Sequence, residues 1–143
     1  MKIEPIESLE QVKIILMSSD LPTEDIVSPS CVQFFGILED TNLLAIIGLE
    51  LYGNVGLLRS LAVLPTSQHS GLGNRLVKHA ESVAMQNGVE QLYLLTTTAE
   101  AYFLQQGYNS ASRDEAPEAI KATSQFAGLC PDSAAFLSKA LGN

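Results

Sequence analysis

The most informative stretch of the sequence reads LAVLP at residues 61–65 and QHSGLGN at residues 68–74. Its first part is an apolar run typical of a buried strand, and apolar residues at helical spacing follow the glycine-containing loop. The first turn of a helix leaves backbone N–H groups unpaired within the helix, and its macrodipole favours an anion there. Gly71 and Gly73 carry no Cβ, so a diphosphate can approach the backbone closely. The loop therefore indicates an anion site, with an ordinary turn as the alternative.

The chain around this loop predicts strands first and then alternating helices and strands. Tight turns at 40–42 and 53–54 indicate an antiparallel meander. The later β-α-β order indicates a mixed sheet covered by helices. The predicted strands cover residues 1–6, 31–38, 43–52, 55–64, 91–96 and 133–141. The predicted helices cover 8–17, 72–86 and 99–106, and a last one is capped by Asp114 or Glu115 with Pro117 in its first turn.

Length and composition restrict the class of protein. The chain has 143 residues, of which 46% are apolar and 17% charged, so one domain over residues 1–143 can bury a sizeable core. The net charge of -8 and the absence of a basic run disfavour nucleic acids and anionic membrane surfaces as partners. Residues 1–10 have no secretory apolar core, and no apolar run has the length of a membrane span. We expect a cytoplasmic protein.

The cysteines and histidines predict neither a disulfide framework nor a metal site. Cys31 and Cys130 are far apart in sequence and form no CxxC motif, which suits two reduced thiols. No group of His, Cys and Asp has the spacing of metal ligands. We expect no metal.

Two segments resemble the GNAT superfamily of N-acetyltransferases. The first is Gln68-x-x-Gly71-x-Gly73, which matches that family's Q/R-x-x-G-x-G/A loop and follows a strand, as the family requires. The second is Ala99-x-x-x-Phe103-x-x-x-Gly107-Tyr108, which resembles the family's A-x-x-x-Y-x-x-x-G-F segment. The resemblance implies a mixed sheet of about six to seven strands flanked by helices. Two splayed strands, at 55–64 and 91–96, would form the cleft for acetyl-coenzyme A.

The resemblance also implies which residues bind the cosubstrate. The pantetheine arm would pair with the first splayed strand as an added strand, and the loop amides would bind the pyrophosphate. Gln68 would shape the loop, and Thr96 stands where many relatives have an asparagine that contacts the arm. The implied contacts to acetyl-coenzyme A are Leu61, Ala62, Val63, Gln68, His69, Ser70, Gly71, Leu72, Gly73, Asn74 and Thr96.

Three further segments are similar to the arsenic-resistance-associated branch of this family. They cover residues 59–63, 94–100 and the tail from Ala119 to Pro131. The branch is related to acetyltransferases of amino-acid-like toxins such as arsinothricin and phosphinothricin. The resemblance therefore implies direct acetyl transfer to a small primary amine of this kind.

The catalytic acid and base depart from the family pattern. The usual acid tyrosine falls at Phe103, which has no proton to give, and Tyr102 is the neighbouring alternative. An adjacent position on a helix points about 100° away, so packing is the competing role for Tyr102. The strand at 55–64 has no carboxylate, which leaves Glu50 and Glu100 as candidate bases, with a solvated surface position as the alternative for each.

Arg59 is the most unusual residue of that strand. Its spacing places it on one face with Leu57, Leu61 and Val63, and an arginine among apolar positions needs a partner. Two roles remain open. One pairs it with Glu50 or Glu39, and the other makes it a catalytic-site clamp on an anionic group of the substrate.

Other polar residues are candidates for the acceptor site. Ser60, Thr97, Thr98 and Arg113 offer hydroxyls and a cation. Thr97 or Thr98 would serve equally as a helix N-cap, and a surface salt bridge is the alternative for Arg113. Two other functions stay open: a protein or peptide N-acetyltransferase, and a non-catalytic acetyl-coenzyme A-binding module. The apolar last strand leaves a homodimer possible.

Overall fold

Among the residues that the structure describes, seven strands form one mixed sheet in the order β1-β2-β3-β4-β5-β7-β6. The computed structural model describes residues 2–6, 9–18, 32–64, 71–96, 99–123 and 134–141. Neighbouring strands run antiparallel except β4 and β5, which are parallel. The strands are β1 (Lys2–Ile6), β2 (Gln33–Glu39), β3 (Asn42–Tyr52), β4 (Val55–Val63), β5 (Gln91–Thr96), β6 (Asn109–Ser110) and β7 (Ala135–Ala140).

In the described part of the chain, four α-helices cover the two faces of this sheet. They are α1 (Leu9–Ser18), α2 (Leu72–Gln86), α3 (Glu100–Gln105) and α4 (Glu118–Lys121). On one face, α2 buries Leu76, Val77 and Ala80 against the sheet, and Phe103 of α3 joins the same cluster. On the other face α1 and α4 each cover a cluster of their own. The sheet is thus enclosed on both sides, as a parallel strand pair requires.

The last predicted helix differs from the prediction in form. Residues Arg113–Glu115 form a short 3₁₀ turn, and α4 begins only after Pro117, which is its N-cap. Ala116 is extended, with φ -61° and ψ 140°. The cause is steric, because a proline disfavours the helical conformation of the residue before it. A helix capped at Asp114 or Glu115 with Pro117 inside its first turn is therefore wrong.

The other predicted elements are found within two residues of their predicted bounds. The sheet has seven strands, at the upper end of the predicted number, because the two-residue β6 pairs with β7 at its edge.

Cys31 and Cys130 lie outside the described residues. Among the described helices, none is long and apolar enough to cross a membrane.

Candidate active site

A cleft opens between β4 and β5 halfway along β4. The two strands pair from Val55 opposite Gln91 to Leu58 opposite Leu94. Beyond that point β4 continues to Val63 and β5 to Thr96 without further pairing between these two described segments. The second half of β4 therefore presents a strand edge to the cleft, and such an edge can add another extended group by backbone hydrogen bonding.

A β-bulge marks the start of this open half. Gly48 of β3 pairs with Arg59 and Ile46 with Ala62, so the single residue Ile47 stands opposite both Ser60 and Leu61. Ser60 has a φ of 59°, in the left-handed region that few residues other than glycine adopt. A bulge bends its strand and turns backbone groups away from the partner.

Backbone alternation gives the direction of the amides in the open half. The Leu64 N–H donates to the Leu44 carbonyl of β3 at 2.9 Å. Because successive residues of a strand direct their N–H groups to opposite edges, the N–H groups of Leu61 and Val63 are directed to the cleft edge. Of the three strand residues predicted to contact acetyl-coenzyme A, Leu61 thus directs its backbone donor to the cleft at the bulge.

The bulge also changes which side chains share a face. Leu57 packs in the cluster covered by α4, whereas Leu61 and Val63 pack against the cluster covered by α2. Leu61 and Val63 therefore lie on the face opposite to Leu57, and the prediction that they share one face with Arg59 and Leu57 is wrong. The extra residue in β4 shifts the alternation by one position, and this shift is not visible in the period of the sequence.

The start of α2 lies beside the open half of β4. Gly71 is the N-cap with a φ of 81°, and its carbonyl accepts a hydrogen bond from the Arg75 N–H at 3.2 Å. A Cβ placed on Gly71 would meet no atom within 4 Å, and one on Gly73 would lie 3.9 Å from Val63. Gly71 thus leaves open space at the start of α2, whereas a side chain on Gly73 would meet Tyr102 and Val63. Leu72 is buried, and Gln68, His69 and Ser70 lie outside the described residues.

Tyr102 reaches across from α3 to this helix start. Its hydroxyl donates to Asn74 Oδ1 at 2.6 Å, and it would lie 3.4 Å from a Cβ on Gly73. Burial, and then the Glu81 carboxylate, raise the pKa of Tyr102. Its neighbour Phe103 is 5% exposed and packs in the core. Tyr102 therefore contacts the loop predicted to bind the cosubstrate, while Phe103 has a packing role.

Arg59 and Glu50 form a buried ion pair beside the bulge. Arg59 Nη1 lies 3.1 Å from Glu50 Oε2, and the two side chains are 0% and 5% exposed. Glu50 Oε1 accepts a hydrogen bond from the Tyr52 hydroxyl. Of the two roles left open for Arg59, this geometry supports the structural pairing with Glu50. Because both carboxylate oxygens of Glu50 accept hydrogen bonds within the protein, its geometry does not favour the predicted role of general base.

The other predicted polar residues take several positions. Thr96 Oγ1 accepts the Ala99 N–H at 2.9 Å, next to the start of α3. Thr97 and Thr98, predicted as caps or acceptor contacts, lie outside the described residues.

Arg113 Nη2 donates to the Ala134 carbonyl at 2.7 Å, just before β7. Glu100 is exposed in the first turn of α3. Within the described ranges, no group of three His, Cys, Asp or Glu side chains is placed to hold a metal.

The sequence analysis missed two residues that build the Arg59 site. Tyr52 bonds Glu50, and Gly48 leaves room for the arginine, because a Cβ there would lie 2.9 Å from Arg59 Cγ. Both share a face of β3 with Glu50 at a spacing of two residues. That spacing was the available signal, since it places a glycine, a carboxylate and a phenol in one row opposite Arg59.

Comparison with known families settles the class of protein. The model of the acetyltransferase (GNAT) family matches residues 6–108. The chain belongs to the GNAT acetyltransferase family. Members of this family use acetyl-coenzyme A, so the predicted enzyme class, cosubstrate and fold are confirmed at the level of the family.

Individual relatives of this GNAT chain include amino-acid acetyltransferases. That of Neisseria meningitidis is 34% identical over 116 residues, which are 79% of this chain and 26% of the relative. That of Ralstonia nicotianae is 42% identical over 64 residues, which are 45% of this chain and 14% of the relative. The chain thus spans about a quarter or less of the length of these two curated relatives.

Solved structures share the fold over nearly the whole chain. The N-acetylglutamate synthase from Neisseria gonorrhoeae, complexed with coenzyme A and N-acetyl-glutamate, superposes with a TM-score of 0.83. It is 23% identical, and the match covers 99% of this chain and 35% of that one. The ribosomal-protein-S18-alanine N-acetyltransferase from Escherichia coli superposes with a TM-score of 0.76 at 19% identity, covering 99% and 94% of the two chains. These likenesses establish the GNAT fold.

Proposed function

We propose that this chain transfers the acetyl group of acetyl-coenzyme A directly to the primary amine of a small amino acid. The observation that carries the proposal is the cleft itself. The open edge of β4 lies next to the accessible first turn of α2, within a family that uses acetyl-coenzyme A. The amino-acid acetyltransferases among the relatives support an amino acid as acceptor.

The residues divide into three tasks. The cleft edge at Leu61 and Val63 binds the extended arm of acetyl-coenzyme A through backbone groups. The first turn of α2, from Leu72 to Asn74, binds the pyrophosphate with its N–H groups and its dipole. Acetyl-coenzyme A supplies an activated acyl carbonyl. The Leu61 N–H is the donor that stabilises negative charge developing on the oxygen of that carbonyl.

The favoured acceptor is an amino-acid-like toxin with a second acidic group, such as arsinothricin or phosphinothricin. The segments at 59–63, 94–100 and 119–131 support this choice by their resemblance to the arsenic-resistance-associated branch. Because Arg59 is paired with Glu50, the acidic group is bound by other residues. Ser60, Thr97, Thr98 and Arg113 remain the proposed acceptor contacts.

The test is the release of free coenzyme A thiol from acetyl-coenzyme A with a panel of amines. The panel contains glutamate, arsinothricin, phosphinothricin, a polyamine and a basic peptide, with a no-amine blank for the two native cysteines. Release with one or more amino acids is the expected result, and the toxins should give the highest kcat/KM. Release with glutamate but not the toxins would remove the toxin proposal, and release only with the peptide or polyamine would overturn an amino-acid acceptor.

A further inference from the structure

The buried group around Arg59 adjoins the point at which the cleft opens. Leu58 is the last residue of β4 that pairs with β5, Arg59 follows it, and the bulge at Ser60 comes next. The ion pair therefore lies next to the residues whose backbone groups line the cleft.

A continuous chain of hydrogen bonds links β3 to the bulge. The Tyr52 hydroxyl donates to Glu50 Oε1, and Arg59 Nη1 donates to Glu50 Oε2 at 3.1 Å. Arg59 Nε then donates to Ser60 Oγ at 3.0 Å. One guanidinium thus joins a carboxylate on the neighbouring strand to the residue that has the left-handed conformation. The planar fork of arginine can make both contacts at fixed angles, whereas a lysine has a single donor atom.

The surrounding atoms hold the arginine in place. A Cβ at Gly48 would lie 2.9 Å from Arg59 Cγ and 3.0 Å from Phe34 Cε1, so the stem of the arginine fills the space over this glycine. The side chain is 0% exposed. A left-handed conformation at a serine persists only where its surroundings hold it, and here the arginine supplies the contact to the serine side chain.

We propose that Arg59 is a positioning residue, which acts through Ser60 to hold the bulge of β4 and thereby directs the Leu61 N–H into the cleft. The inference rests on the proposed acetyl transfer for its kinetic consequence, but its structural consequence can be measured without turnover. Glu50 and Tyr52 belong to the same device, because they fix the guanidinium.

The variant Arg59→Met/Glu50→Met tests this role without leaving a buried charge unpaired. Arg59→Met alone would leave Glu50 buried and uncompensated, whereas replacing both partners by apolar side chains of similar volume is often neutral for folding. We expect the double variant to melt cooperatively near the temperature of the parent. Its kcat for acetyl transfer should fall at least about tenfold, with KM for acetyl-coenzyme A changed less than about threefold, because a misdirected oxyanion donor affects the transition state.

Adding Ser60→Gly to the double variant separates positioning from general packing. A glycine adopts a positive φ without help from a side-chain contact. The triple variant should therefore recover a substantial part of the lost kcat, although it restores no hydrogen bond and no charge. A double variant that keeps the parental kcat, or a triple variant without recovery, would overturn the positioning role.

A crystal structure of the double variant decides the inference even if no amine is acetylated. We expect residue 60 to leave the positive-φ region, and in the triple variant to return to it. A φ at residue 60 that stays near the parental 59° in the double variant would overturn the proposal. Absence of turnover in the parent protein would instead count against the proposed acetyl transfer, so the two failures are distinguishable.

Discussion

The two halves of β4 share one partner strand, β3, but differ on their other edge. Residues Val55–Leu58 pair with β5 and lie in the interior of the sheet, with Leu57 and Leu58 almost fully buried. Residues Arg59–Val63 keep β3 as partner and turn their other edge to the cleft. They also contain the positive φ of Ser60 and the buried charge of Arg59. The first half is built from apolar side chains, and the second depends on backbone geometry.

The difference separates stability from function within a single strand. Backbone hydrogen bonding and apolar packing satisfy the first half by themselves. The second half leaves an edge for a ligand, and its bulge is held by polar contacts from Glu50 and Arg59. We therefore expect substitutions in the first half to affect folding, and changes around the second half to affect the handling of acetyl-coenzyme A.

The largest effect on stability is expected in the paired half. Leu57→Ala removes a fully buried side chain that packs against Ile120 and Phe136, and should lower the free energy of unfolding by about 2–5 kcal/mol. KM for acetyl-coenzyme A should stay unchanged. Leu61→Ala in the open half should lower the free energy less, since that side chain is only half-buried. Chemical denaturation of both variants checks this, and an equal loss from both would contradict the separation of the two halves.

An intermediate effect is expected at the start of α2, beside the open half. Gly71→Ala forces a side chain into a φ of 81°, which should cost about 1–2 kcal/mol of folding free energy. Gly53→Ala is the matched control, because Gly53 has a φ of 69° and equally open surroundings but lies in the turn between β3 and β4. Thermal melting should show similar losses for the two variants.

Of Gly71→Ala and Gly53→Ala, only Gly71→Ala should weaken binding of acetyl-coenzyme A. Gly71→Ala should raise the dissociation constant of acetyl-coenzyme A at least about threefold, because it changes the backbone that presents the N–H groups of α2. Isothermal titration of both variants is the measurement. Equal affinities would place the pyrophosphate elsewhere than at the start of α2.

The smallest effect on stability is expected at Tyr102. Tyr102→Phe removes the hydrogen bond to Asn74, and since that contact is exposed the loss should not exceed about 1 kcal/mol. We expect a few-fold rise in KM for acetyl-coenzyme A and an unchanged kcat, because the hydroxyl is engaged with the first turn of α2. Gln106→Ala is the control, since Gln106 Nε2 also contacts Asn74 Oδ1, at 3.3 Å. A kcat that falls more than about tenfold only in Tyr102→Phe would assign the hydroxyl the role of general acid.

Local sequence signals predicted most of the fold. Turn residues at 40–42 and 53–54 and the apolar spacing of the long helix give elements that agree with the structure. The N-cap of the last helix lies two or three residues later than predicted, because Pro117 disfavours the helical conformation of Ala116. Loop chemistry also predicted that the glycine-containing segment starts a helix beside a strand end.

The polar details of the site depend on tertiary structure. A bulge adds one residue to a strand without changing its composition, so the altered faces of Leu61 and Val63 could not be derived from alternation. The sequence offers two carboxylates, Glu39 and Glu50, as structural partners of Arg59. Only the register between β3 and β4 selects Glu50. Thr96 Oγ1 accepts the Ala99 N–H before α3, and the local sequence does not distinguish Thr96 from Thr97 and Thr98 for this contact.

The central claim is that the open half of β4 binds acetyl-coenzyme A through its backbone, and amide hydrogen exchange followed by NMR tests it most directly. Saturating acetyl-coenzyme A should slow exchange at the Leu61 amide by at least about tenfold, while Leu58 in the paired half changes little. Binding that slows exchange elsewhere in the chain, but leaves Leu61 unchanged, would contradict the account.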